Sequence, residues 1–274
     1  MTGLIASAAS VSDAEAAWGG RLAASAAGGS HAIVLLVLNY RLPHAAAALW
    51  HHSVLRICAD GGANRLYDQA PCWLGVSEPE ADAARGAFVP DVIKGDLDSL
   101  RPEVREFYER RGARVVDLAA DQDTTDLQKC LTCASRMIAA DPARFGDAHI
   151  LALGALGGRL DHTLANLNTL HRHDGAPLAL MGEGNLVRLL RAGRSELPVD
   201  RRLLGPACGL VALGQPATAS SSGLRWNLDS TRLEMGGLQS TSNLVDAELV
   251  VVDTDAPLLW TIEMRDEAPP PDAC

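Results

Sequence analysis

The chain has 274 residues, enough for one large domain or two modest ones, and its 47% hydrophobic content can fill a real core. Its 34 acidic against 24 basic side chains leave a net charge of −10, which argues against a surface built to grip a nucleic-acid backbone. A nucleotide site stays open, because a divalent metal can bridge carboxylates and phosphates; no apolar run approaches the roughly 18 residues of a membrane span, so no membrane partner is expected.

The first 30 residues are rich in Ala, Ser and Gly, with Asp13, Glu15 and a single base at Arg21. They read as a disordered leader of a cytoplasmic protein, with organelle targeting as the alternative. "HAIVLLVLN" (31–39) reads as a buried strand, and "PHAAAALWHH" as a helix with Pro43 near its first turn. "VLRICAD" is a second strand, followed by "GGANRLYD", a glycine turn opening a short helix. Residues 69–88 mix Pro, Gly and acids without a period and are expected as a surface loop. "DVIKGD" is a strand, and "RPEVREFYERRG" a helix with Pro102 early and Gly112 at its end. "ARVVDL" is a strand, and "DTTDLQKCLTCASRMIAA" a helix whose Leu127, Leu131, Ala134 and Ile138 recur at three and four. "HILALGAL" is a strand and "LDHTLANLNTLHR" a helix. This alternation predicts an α/β fold, a mostly parallel sheet with helices on both faces.

Near residue 183 the segments become short, β-rich and separated by Gly, Asp or Pro, from "LVRLL" to "LLWTIEM". They predict a smaller all-β sandwich. The expected division is therefore a leader (1–30), an α/β domain (31–182), a β-sandwich domain (183–265) and a disordered tail (266–274). Cys130 and Cys133 form a CxxC, but no second pair stands at ligand spacing. The six cysteines are read as structural, reduced thiols.

Carboxylates gather at the strand ends. Asp60 ends the second strand, and Asp96 and Asp98 of "GDLDSL" end the third. Asp121, Asp123 and Asp126 follow the fourth, and Asp161 follows the glycine turn after the fifth. Taken singly, each can be a helix cap, with Ser99 capping one helix, or Asp123 and Asp126 as an N-cap and its N3 partner. Together they occupy the edge where such sheets bind ligands. There they would repel one another unless cations neutralised them, and oxygen-only ligands of this kind suit Mg²⁺ with phosphates. The glycine turns "DGGANR" (60–65) and "GALGGRLD" (154–161) can offer backbone N–H groups to phosphate. Neither matches a Walker motif. Arg159 can counter phosphate charge or simply be a surface Arg.

The segments "DGGANRLYD", "GDLDSLRPEVREFY", "DQDTTDLQKC", "GALGGRLDH", "GLRWNL" and "STSN", in this order, resemble the eukaryotic thiamine pyrophosphokinases. The resemblance spans residues 31–265. It implies transfer of a diphosphoryl group from ATP to the hydroxyl of thiamine, giving thiamine diphosphate and AMP, with Mg²⁺ as cofactor. It also implies a homodimer with active sites at the subunit interface, an α/β domain for ATP and Mg²⁺, and a β-sandwich for thiamine.

By the same resemblance Asp96, Asp98 and Asp126 match metal and phosphate carboxylates, Asp60 and Asp161 further acidic site positions, and Arg159 a phosphate-facing Arg. Gln122 matches a residue near thiamine, Trp226 an aromatic that stacks on it, and Ser240 and Asn243 polar contacts supplied across the dimer. Within these motifs Gly61, Gly62, Asn64, Thr125 and Gly158 are further ligand-binding candidates. A π-face suits a cationic substrate, although "LRWNL" alternates like a half-buried strand that would place Trp226 in a core. Asp126 or Asp98 would orient or deprotonate the hydroxyl. Two departures stand out: the 69–88 segment is longer than in animal relatives, and His162, where other members carry Gln, is read as peripheral.

Overall fold

Ile33–Val37 (β1) is apolar at every position and buried at every position, as a strand covered on both faces must be. The computed structural model describes residues 32–265 apart from 44, 78, 79, 121, 122 and 174. The expected leader, the tail, Asp121 and the candidate Gln122 lie outside the described residues.

β1 runs parallel to β2 (Ser53–Ala59) on one side and to β5 (His149–Leu153) on the other. β3 (Val92–Gly95) and β4 (Arg114–Asp117) extend the sheet beyond β2, and β6 (Leu178–Gly182) extends it beyond β5, all in parallel. Alternate residues of β1 enter different cores, as a period of two requires. Leu35 and Val37 join residues of α1 (Ala46–His52), α2 (Asp60–Trp73) and α4 (Pro102–Glu109). Val34 and Leu36 join residues of α5 (Asp126–Ala140), α6 (Pro142–Phe145) and α7 (Leu160–Arg172). Helices thus cover both faces.

The 69–88 segment is not the expected loop. α2 continues to Trp73, and α3 (Ala81–Gly86) follows. Phe88 is fully buried beside the rings of Trp50 and Trp73, at centroid distances of 5.9 and 5.1 Å. Helices this short have too few turns to show a period, and aromatic packing anchors the segment instead.

Beyond β6 the chain reverses through Glu183 and Gly184, with φ of 46° and 70°. Two positive φ values make the two-residue turn that suits hairpin twist, and β7 (Asn185–Leu190) returns antiparallel to β6. Pairing continues through β14 (Leu258–Met264), β9 (Leu204–Val211) and β12 (Ser240–Leu244). One ten-stranded sheet results, in the order β12-β9-β14-β7-β6-β5-β1-β2-β3-β4. A second, antiparallel sheet has the order β11 (Thr231–Leu233), β10 (Ala217–Ser222), β13 (Leu249–Thr254), β8 (Gly193–Pro198). Its Ala219, Val250 and Val252 share one apolar cluster with Leu210, Trp260 and Ile262 of the first. One layer of the sandwich is therefore the continuation of the α/β sheet.

Among the described residues no helix is long and apolar enough to cross a membrane. Cys58, Cys130, Cys133 and Cys208 are buried free thiols.

Candidate active site

Strands β2 to β4 lie to one side of β1, and β5 and β6 to the other. The order reverses between β1 and β5, the place where open α/β sheets bind ligands at their carboxyl ends. A cleft of about 640 Å³ opens there, lined by Asn39 and Tyr40 after β1, Gly157 and Gly158 after β5, and the side chains of Asp96, Asp126, Lys129, Arg159 and His162. Gly157 and Gly158 have φ of 96° and 66°, and a Cβ on either would come within 2.7 Å of the Tyr40 ring. Only glycine fits this turn. Thr163 Oγ1 donates to the Gly157 carbonyl at 3.1 Å and Asn166 Nδ2 to the Ala155 carbonyl at 2.8 Å, which pins the loop to α7.

Asp60 opens α2 directly, so "DGGAN" forms the first turn of a helix and not a loop before it. A Cβ on Gly62 would lie 2.1 Å from the Val37 carbonyl oxygen, and one on Gly95 would lie 2.7 Å from Asp60 Cγ. These glycines let α2 settle against β1 and β3, and that approach buries Asp60. Its Oδ1 accepts the Gly61 N–H at 2.7 Å, while Oδ2 is buried with no hydrogen-bond partner among the described residues. Carboxylate oxygens of Asp60, Asp96 and Asp98 lie within 4.8 Å of one another. Leu97, between the latter two, has φ of 66°, a conformation rare for a branched side chain and typical of functional turns. Asn64 Nδ2 donates to the Ser99 carbonyl at 2.6 Å and its Oδ1 accepts the Arg101 N–H at 3.2 Å. Asn64 therefore braces the Asp96–Asp98 loop.

Asp126 stands beside this group. The N-cap of α5 is Thr125, in a capping box with Gln128, which replaces the expected cap pair of Asp123 and Asp126. Asp126 takes the first helical position, and its carboxylate is left for the cleft. Thr125→Ala should cost about 1 kcal/mol in chemical denaturation; an unchanged midpoint would mean that the cap does not hold this corner.

Burial pushes the Asp60 carboxyl up to about 6; the Gly61 N–H opposes the rise, and Asp126 and Asp96 add to it. Burial also raises Asp126, against the pull of Lys129. Asp96 is held down, chiefly by its hydrogen bond from Lys129. Lys129 is 2% exposed, and its Nζ lies 3.0 Å from Asp96 Oδ2. An acidic nest with an orphaned buried oxygen is an environment that fits a hard cation with oxygen ligands.

At the other end of the molecule Trp226 is 57% exposed, so it is not a core residue. Buried Asn243 accepts the Trp226 N–H at 3.2 Å and donates from Nδ2 to the Trp226 carbonyl at 2.8 Å and to Ser240 Oγ at 3.3 Å. Three predicted residues meet, with Asn243 presenting the indole. β12, which carries Ser240 and Asn243, is an outer strand of the ten-stranded sheet, five strand spacings from β5. That is roughly 24 Å across the sheet, and none of the three lines the cleft.

Residues 46–180 match the family described as "Thiamin pyrophosphokinase, catalytic domain", and residues 194–259 match "Thiamin pyrophosphokinase, vitamin B1 binding domain". Thiamine pyrophosphokinase 1 of Oryza sativa subsp. japonica is 46% identical over 238 residues, covering 86% of this chain and 89% of the relative. The chain belongs to the thiamin pyrophosphokinase family. Thiamine pyrophosphokinase 2 of Arabidopsis thaliana is 44% identical, covering 84% and 86% of the two chains. The solved thiamin pyrophosphokinase of Candida albicans shares the fold, with a TM-score of 0.75 and 24% identity over 86% of this chain and 90% of that one.

The pyrophosphokinase catalytic match contains the acidic nest, and the vitamin B1 match contains Trp226, Ser240 and Asn243. Arg159 and Asp161 form a two-point ion pair at 3.1 and 2.5 Å on the exposed start of α7. Arg159 lines the cleft; Asp161 holds Arg159 and stands apart from the Asp60–Asp96–Asp98 group. His162, read as peripheral, lines the cleft as well. Sequence reading missed Lys129, Asn39 and Tyr40. Lys129 falls three residues after Asp126, on the same helical face, and Asn39 and Tyr40 follow the strand at which the order reverses. Both signals were present.

Proposed function

We propose that the cleft between β1 and β5 is where this thiamin pyrophosphokinase transfers the diphosphoryl group of ATP to the hydroxyl of thiamine, with Mg²⁺ held among Asp60, Asp96, Asp98 and Asp126. The observation that carries this reading is Asp60 Oδ2, buried without a hydrogen-bond partner among the described residues and beside two further carboxylates. Asp60, Asp96, Asp98 and Asp126 would hold Mg²⁺, which when bound would supply positive charge against the charge that develops on the transferred phosphates. The hydroxyl oxygen of thiamine attacks the β-phosphorus, the bond from that phosphorus to the α,β-bridging oxygen breaks, and AMP leaves. The Gly157–Gly158 turn lets phosphate approach the backbone closely. Arg159, steadied by Asp161, faces the phosphate charge. Asp126 or Asp98 would orient the hydroxyl or accept its proton.

The roughly 24 Å between β5 and β12 supports a homodimer in which Trp226, Ser240 and Asn243 of one chain complete the cleft of the other. In this reading residues 31–182 handle ATP and Mg²⁺, and 183–265 present thiamine. A cytoplasmic location belongs to the same reading, and imaging of the tagged full-length chain checks it. The first test is turnover with ATP, Mg²⁺ and thiamine, resolving the products. AMP with thiamine diphosphate, lost on adding EDTA, is expected. ADP with thiamine monophosphate would overturn the assigned point of attack.

A further inference from the structure

We infer that Glu183, at the turn joining the two halves of the sheet, accepts hydrogen bonds from the ribose hydroxyls of the nucleotide and so selects ribonucleotides over deoxyribonucleotides. The inference rests on the ATP reading of the cleft. Glu183 has φ of 46° and Gly184 of 70°. A two-residue turn of this kind favours Asn, Asp or Gly at its first position, and a left-handed glutamate carries backbone strain. The turn is nevertheless pinned. Asn185 Nδ2 donates to the Glu183 carbonyl at 2.7 Å, and the Met264 N–H to the Gly184 carbonyl at 2.7 Å. What glutamate adds there, at the cost of strain, is an exposed carboxylate with a longer reach on a fixed base.

That side chain lies against the border of the cleft. A Cβ on Gly157 would collide with Glu183 Cγ and stand 3.3 Å from its Cδ, and Gly157 lines the cleft. Glu183 also borders a second hollow of about 820 Å³, with Asn185, Arg202 and Glu263. The order of the strand ends then places the parts of the nucleotide. The acidic nest stands at β2 and β3, the Gly157–Gly158 turn and Arg159 after β5, and Glu183 after β6. With the transferred phosphates at the nest, the leaving AMP extends the other way. Its phosphate meets Arg159, and its ribose reaches the end of β6. A carboxylate repels phosphate, so its partner in AMP is a neutral donor. Paired ribose hydroxyls suit it, and an ionised acceptor makes the stronger hydrogen bond.

The test compares kcat/KM for ATP, 2′-deoxyATP and 3′-deoxyATP in wild type, Glu183→Gly and Glu183→Gln, with Mg²⁺ and saturating thiamine. Wild type should prefer ATP to at least one deoxy compound by roughly tenfold. Glu183→Gly suits the left-handed turn and should melt no lower than wild type. Its kcat/KM for ATP should nevertheless fall to that of the deoxy compound, whose own value should stay. Glu183→Gln keeps a neutral acceptor and should fall between the two. If Glu183→Gly does not fold, the Gln variant decides on the same ratio. A wild type indifferent to both deoxy compounds would overturn the inference. Equal losses for ATP and both deoxy compounds would make Glu183 a structural residue and overturn it too. So would an unchanged ATP preference with a raised KM for thiamine, which would give the carboxylate to the other substrate. Wild type that makes no AMP and thiamine diphosphate from ATP would remove the reading of the cleft itself.

Discussion

Asp60→Asn should leave an inactive enzyme whose metal-free form melts at a higher temperature than wild type. The wild-type carboxylate is buried, and one of its oxygens has no hydrogen-bond partner among the described residues. Burial holds its pKa up at about 6, against an ordinary 3.8, so the ionised form is disfavoured in the fold. Asparagine keeps an acceptor for the Gly61 N–H, removes the repulsion with Asp96 and Asp126, and offers Asp96 a donor. The sign follows from a folded-state pKa raised above the unfolded one. The penalty is complete above pH 6 and fades as the pH falls toward 4, so the advantage of the variant shrinks in acid. Melts in EDTA and in Mg²⁺, taken at pH 7 and pH 5, measure this directly. Mg²⁺ should raise the wild-type midpoint and leave that of the variant almost unmoved, and turnover should fall by roughly 100-fold or more. A variant that melts lower than wild type in EDTA would show that the carboxylate is already satisfied by other means.

Two inactive variants should restore activity when their subunits are exchanged. Asp96→Asn damages the cleft at the carboxyl end of β3, and Trp226→Ala removes the exposed indole held by Asn243. If each active site joins the cleft of one chain to the indole of the other, a mixed dimer holds one doubly damaged site and one intact site. Random exchange makes half the dimers mixed, so about a quarter of wild-type turnover should return. Equal mixing after mild denaturation and refolding, with each variant refolded alone as control, provides the measurement. Recovery no greater than the sum of the controls would place Trp226 and the cleft in service of the same chain or of different tasks. Trp226→Ala alone should weaken thiamine more than ATP, because a π-face recognises the cation and not the triphosphate.

The catalytic half was legible because its signals are local. Apolar runs such as "AIVLLVLN" and the glycines and acids at strand ends follow from short-range rules, and parallel strands must collect those ends on one edge. What those residues do to one another was less legible. Asn64, expected as a ligand contact, also holds backbone 35 and 37 residues away with the two ends of its amide. Thr125 takes the cap expected of Asp123, because its Oγ1 accepts the Gln128 N–H while the Gln128 side chain reaches back to the Thr125 N–H.

By itself the sequence determined the strand–helix alternation, the β-rich second half, the acidic carboxyl edge and the family. The tertiary structure alone decided that the two halves share a sheet through the Glu183–Gly184 turn, and that Trp226 is exposed. It also decided that Asp60 is buried and that Lys129 meets Asp96 across 33 residues. The physical reason is range. Periodicity and turn chemistry act within a few residues, whereas burial, charge pairing and sheet order arise only when distant segments pack.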